Sequence, residues 1–97
     1  MDLSTLANAL MSQLQQTAEI RALSQVMRVH VMVGALYEVS ATMLVESFAR
    51  AFEGTSFQGA DAEVRIIQVG ERFTPPGTDE AVTANGFEIF IVDVVGP

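Results

Sequence analysis

Few groups in this chain could do chemistry, and they lie far apart. A single histidine, His30, sits in the run "RVHVMV". Imidazole exchanges a proton near neutral pH and is the commonest protein ligand for metals, so His30 is the first candidate for a base or a ligand. No cysteine, second histidine or close carboxylate stands beside it in sequence, and an imidazole between valines reads more simply as a structural or interface residue. The amino end, "MDLSTLANAL", is the second candidate. There the Met1 amine and the Asp2 carboxylate place a nitrogen donor next to an oxygen donor. The same stretch also reads as the plain start of an amphipathic helix. Of the five methionines, Met11, Met27, Met32 and Met43 fall at apolar positions, where a thioether fills a core or an interface.

What is missing narrows the chemistry further. The chain has no cysteine, which excludes disulfides, thiolate metal sites and thiol catalysis. It has no lysine, which excludes Schiff bases and lysine-held phosphates. "VGERFTPPG" lacks the glycine spacing of a phosphate loop, and no serine sits in a nucleophile elbow. Glu38 and Glu46 flank a helix start, where negative charge suits the helix dipole rather than catalysis. No catalytic residue is expected, and no enzyme. A net charge of −7 with five Lys+Arg argues against nucleic acid, whose phosphates demand a basic patch. No apolar run approaches the roughly 18 residues of a membrane span, so no membrane insertion is expected. The start lacks a basic region followed by an apolar core, so a cytoplasmic location is the expectation.

These residues need elements to hold them. Leu3, Leu6, Ala7, Leu10, Leu14 and Ala18 recur at steps of three and four, which predicts a helix capped by Asp2 or Ser4. "QVMRVHVMVGAL" is β-branched with a period near two. It predicts a strand with Met27, Val29, Val31 and Val33 on one face and Arg28, His30 and Met32 on the other. Ser40 then caps a second helix, "SATMLVESFARAFEG", whose Leu44, Phe48, Ala51 and Phe52 share a face and whose Gly54 suits the C-terminus. "AEVRIIQV" reads as a strand, with Val64 and Ile66 on one side and Arg65, Ile67 and Val69 on the other. "FEIFIVDVV" reads as another strand. Between them the polar, proline-bearing stretch from Gly70 to Gly86 predicts a mobile loop whose removal leaves the fold intact.

The order α-β-α-β-β in 97 residues implies one α+β domain: two helices packed on one face of a three-stranded mixed β-sheet. Two helices cover only one side. The uncovered side would display His30, Met32, Ile67, Phe90 and Val92, with Arg28 and Arg65. Hydrophobic residues make up 49% of the chain and mean hydropathy is +0.34. That excess points to a greasy face that another chain covers, in a homodimer or on a larger protein.

The element order and several stretches resemble the HypA/HybF-type nickel-incorporation proteins of hydrogenase and urease maturation. Leu6-Ala7-Asn8-Ala9-Leu10 matches the family's first helix, "VMVGALYEVSATML" its valine-rich strand and turn, and "FEIFIVDV" its closing strand. The resemblance spans roughly residues 1–69 and 87–94. It implies a single HypA-like nickel-binding-type domain over residues 1–97, with nickel held at Met1 and Asp2. Two departures stand out. The family places histidine at the second position and glutamate at the third, where this chain has Asp2 and Leu3. The family also inserts paired cysteines that hold zinc, where this chain has the cysteine-free loop, so no zinc is expected. The resemblance therefore implies a HypA-like accessory protein of [NiFe]-hydrogenase maturation or assembly that acts through protein–protein binding. Its partner would be a hydrogenase or other metalloenzyme subunit, or a maturation factor. The alternatives are a genuine nickel metallochaperone with an altered amino-terminal site, and a permanent accessory subunit of a metalloenzyme complex.

Overall fold

The computed structural model describes residues 2–97. Helix α1 runs Leu3–Ile20, and its apolar stripe is dry where the periodicity places it: Leu6, Ala7, Leu10, Leu14 and Ala18 are buried, with Met11 beside them. Helix α2 runs Ala41–Phe52 and buries Leu44, Phe48 and Phe52. Ser40 Oγ accepts a hydrogen bond from Met43 N–H at 3.0 Å, satisfying one of the orphan donors of the first turn. Past its end, Gly54 takes φ +73°, a left-handed conformation that glycine enters without steric cost.

Three strands form the main sheet in the order β2-β1-β5. Strand β1 (Arg28–Gly34) is central; β2 (Asp61–Ile67) pairs with it in parallel and β5 (Ile89–Val95) antiparallel. Val29, Val31 and Val33 are buried, and Ala62, Val64, Ile66, Ile89 and Ile91 join them against both helices. The expected architecture of two helices on one face of a three-stranded mixed sheet is the one observed. Met27 departs from its expected place: it precedes β1 and is exposed, while Val26 is buried instead.

The stretch from Gly70 to Gly86 is more than a loop. It carries a short hairpin of β3 (Arg72–Phe73) and β4 (Val82–Thr83). Phe73 and Ala84 are buried with Met32 and Ile67 in a second small core, and the Phe73 and Phe90 rings lie 5.8 Å apart. This hairpin roofs one end of the outer face. Met32 and Ile67 are therefore shielded by the chain itself, which corrects their expected place on an open interface. Deleting the stretch should expose both, against the expectation of a loop whose removal leaves the fold intact.

Where the outer face stays open it is charged. Cross-strand register sets Arg28 between Asp61 and Val95, and His30 between Glu63 and Asp93. Directly opposed residues interact across a sheet, so Arg28 faces the Asp61 carboxylate and His30 is flanked by two carboxylates. A register shift between His30 and Val31 leaves Val92 as the extra residue of a bulge in β5, half-exposed and out of the simple alternation with Phe90. Arg21 completes the edge: its guanidinium donates to the Val94 carbonyl and lies 3.7 Å from the Asp93 carboxylate. Bulge and arginine together blunt an edge strand that would otherwise offer free backbone groups.

Candidate functional site

At the amino end, Asp2 is the N-cap of α1. Its backbone is extended, its Oδ1 accepts from Thr5 N–H at 2.7 Å, and its carbonyl accepts from Leu6 N–H at 3.0 Å. The hydrogen bond from Thr5 holds the Asp2 carboxyl below its ordinary 3.8, because an accepted N–H favours the charged form. An open groove of about 550 Å³ lies beside it, between the first turns of α1 and the second half of α2, with Asp2, Ser4, Asn8, Ser47 and Arg50 on its walls. It offers a carboxylate, an amide and hydroxyls as oxygen groups, and the Arg50 guanidinium as a hydrogen-bond donor that disfavours a bound cation. Such a set suits polar groups and lacks the imidazole that favours Ni(II). The expectation of a ligand at Met1 falls outside the described residues.

A consequence follows for stability. Asp2→Ala should lower the thermal midpoint by a few degrees at neutral pH, because one N-terminal donor loses its acceptor. A carboxyl held below its unfolded value stabilises above that value and loses the contribution as pH falls through the folded one. The gap between parent and Asp2→Ala should therefore shrink as the solution is acidified below 3.8. Asp2→Asn, a neutral cap, should stay near the parent at neutral pH. Thermal unfolding of the three proteins across the acid range checks this; a gap independent of pH would remove the charged cap from the account.

His30 lies on the outer face of the sheet, and α1 lies on the inner face. The sheet thus separates the single imidazole from the amino end. Its Nδ1 is 3.9 Å from the Glu63 carboxylate, and its Nε2 has no protein partner among the described residues. Glu63 and Asp93 are carboxylates that sequence reading could not put beside His30; only strand register brings them there. Among the described residues, no three His, Cys, Asp or Glu side chains converge closely enough to hold a metal ion. Of the five residues expected on the outer face, Val92 is exposed, His30 and Phe90 are half-buried, and Met32 and Ile67 are covered.

A third feature was missed in sequence. Where β1 and β2 end, the exposed Leu36 and Val69 lie against Gly86, and the exposed Phe87 that follows it packs its ring against Tyr37. They come from three separate connections, and no periodicity links them.

No helix among the described residues is long and apolar enough to cross a membrane. No protein-family model matches the chain, and no curated protein matches it by sequence. Solved structures do match. The solution structure of the Ni metallochaperone HypA from Helicobacter pylori superposes with a TM-score of 0.64 over 97% of this chain and 96% of that one, at 14% identity. The fold of this chain is HypA-like.

Proposed function

We propose that the chain is a HypA-like accessory protein that works beside [NiFe]-hydrogenase maturation in the cytoplasm by binding another protein, without catalysis and without a tight nickel site of its own. The fold likeness to a Ni metallochaperone supports the general role. The observation that carries the specific reading is the Asp2 carboxylate, which is engaged as the cap of α1. Nickel favours a planar, nitrogen-rich set. Here the residue next to the terminal amine is an oxygen donor turned back onto its own helix, and the single imidazole lies across the sheet. The second reading, a nickel carrier, draws only on the fold of its neighbour.

Calorimetric titration of the chain with Ni(II) at neutral pH should show at most weak binding. The double change Asp2→His with Leu3→Glu should tighten it. A stoichiometric, submicromolar site in the parent, lost when the amine is blocked, would hand the protein to the carrier reading. The link to hydrogenase rests on recovery from the native host: the tagged chain should retain a hydrogenase subunit or a maturation factor, and recovery of neither removes that link.

A further inference from the structure

We propose that the free edge of β2 is a self-pairing surface, through which two copies of this chain join their sheets antiparallel about Val64. The inference stands apart from the function proposed above and needs neither nickel nor a hydrogenase. β2 ends the sheet, with β1 on one side and no strand on the other. Asp61 N–H donates to the Met27 carbonyl at 3.0 Å, so Asp61, Glu63, Arg65 and Ile67 turn their backbone groups toward β1. Alternation then turns the N–H and C=O groups of Ala62, Val64 and Ile66 away from the sheet, and none of these has a protein partner among the described residues. The opposite edge differs: on β5 the bulge at Val92 and the Arg21 guanidinium on the Val94 carbonyl interrupt pairing. One free edge per chain gives a closed pair rather than a growing ladder.

A second copy satisfies these groups in one register. With Val64 opposite itself, Ala62 faces Ile66 of the second copy and Ile66 faces its Ala62. All three residues then form the hydrogen-bonded kind of antiparallel pair. The same register sets Glu63 against Arg65 of the second copy, and Arg65 against its Glu63, at the non-hydrogen-bonded positions where side chains lie closest. Centring the pair on Glu63 or on Arg65 would oppose like charges at the axis and carry one outward residue past the end of the strand. Both charges have capacity left. The Glu63 carboxylate is 3.9 Å from His30 Nδ1, beyond hydrogen-bond reach, and its side chain is 68% exposed. Arg65 engages Glu71 through Nη2 alone and is half-exposed, which leaves its other N–H groups to donate.

The side chains along the edge fit the same occupant. Val29, Val31 and Val33 of the central strand are fully buried, whereas Ala62, Val64 and Ile66 pack on the same core and stay half-buried. Their cover stops where the sheet stops. α2 packs over β2, and α1 over β5. Leu44, Phe48 and Phe52 of α2 are buried on the sheet, and Ser47, Arg50 and Ala51 line the groove beside α1. Helical spacing then places Thr42, Val45 and Ala49 on the remaining flank, above the free edge. These side chains are small and uncharged, so α2 of a second copy can approach across the seam. The edge thus carries both signs of charge in the order that its own antiparallel copy complements, beneath a flank that admits the second helix.

Sedimentation equilibrium of the full chain should give a mass near twice 10.4 kDa that falls toward a single copy on dilution. Hydrogen exchange in the dimer should be slow at the Ala62, Val64 and Ile66 amides, which face water in a single copy. Glu63→Arg and Arg65→Glu each set like charges against one another, and each should weaken the dimer by about tenfold. The double variant, Glu63→Arg with Arg65→Glu, restores both pairs and should recover the parent's dimerisation. An equal mixture of the two single variants should recover it as well, each chain pairing with the other kind. Loss of the Arg65–Glu71 contact cannot produce this recovery, because the double variant lacks that contact too. Circular dichroism checks that each variant folds; if a charge variant does not, exchange at the parent's three amides decides alone. A parent that sediments as a single copy at its highest soluble concentration overturns the proposal. So does a dimer in which those amides exchange fast, or one that the charge swap fails to restore. Protection of the amides only when a different protein is added makes that protein the occupant and overturns it equally.

Discussion

Replacing Phe52 with alanine should cost about 3–5 kcal/mol of stability, the range for removing a buried aromatic ring. Phe52 ends α2 and is the middle of three buried rings. It stacks on Phe48 at 5.5 Å with the planes 11° apart, and it meets Phe57 at 5.3 Å. Phe48 belongs to the helix, whereas Phe57 belongs to the segment that carries the chain back to β2. The middle ring therefore ties the crossover to its return. Its loss removes both ring contacts and leaves a cavity that the flanking helix and sheet cannot collapse into. Domains of this size hold a net stability of only about 5–15 kcal/mol, so the variant keeps little reserve. In urea the unfolding midpoint should drop steeply with the slope unchanged. Phe52→Leu, which retains most of the volume, should fall clearly short of that loss. A midpoint close to the parent in Phe52→Ala would show that the three rings do not act as one packed unit.

Gly34→Ala should be nearly as damaging, about 3 kcal/mol or outright failure to fold, at the upper end of what overpacking costs. A Cβ on Gly34 would lie 2.2 Å from both the carbonyl carbon and oxygen of Gly86 and 2.7 Å from Glu88 N. All three are backbone atoms, so no side chain can turn aside. Moving them apart stretches the Gly34–Glu88 and Leu36–Gly86 hydrogen bonds that close the end of the sheet. Gly34 is in the central strand, with β2 on one side and β5 on the other, so there is no free edge toward which to shift. Gly59→Ala is the control. Its φ is +79° but nothing lies within 4 Å of the new methyl, so only the left-handed backbone is penalised, by about 1 kcal/mol. Denaturant midpoints of the two variants measure the difference. If both fall by the same small amount, the close approach of the two backbones is not a constraint on this fold.

Much of this fold is readable from consecutive residues. The stripe from Leu3 to Ala18, the face of Leu44, Phe48 and Phe52, and the alternation of Val29, Val31 and Val33 each announce an element and its dry side. A helix or strand sets its own side-chain period, and burial of one side leaves that period in the sequence. Ser40 and Gly54 mark the limits of α2 for an equally local reason: each meets a backbone need within a few residues. The hairpin from Gly70 to Gly86 left no such trace. Its strands are two residues each, too short to show alternation, and Phe73 is a lone aromatic in a polar run. The bulge at Val92 hides in the same way, because an extra residue in one strand is visible only beside its partner.

The candidate sites divide along the same line. Residue types alone exclude thiol, Schiff-base and lysine–phosphate chemistry, and the negative charge argues against nucleic acid, whatever the fold. For Asp2 the sequence allowed either a helix cap or a metal ligand, and only the folded chain shows its Oδ1 accepting from Thr5 N–H as the cap of α1. His30 reads as isolated because its carboxylate neighbours Glu63 and Asp93 are distant along the chain and arrive only through parallel and antiparallel pairing. The meeting of Leu36 and Val69 over Gly86 is likewise a product of three connections converging at one end of a sheet. Element identity is set by contacts between near neighbours, which a sequence records directly. Register and the meeting of loops are set by backbone pairing and burial between distant segments, and those exist only once the chain has folded.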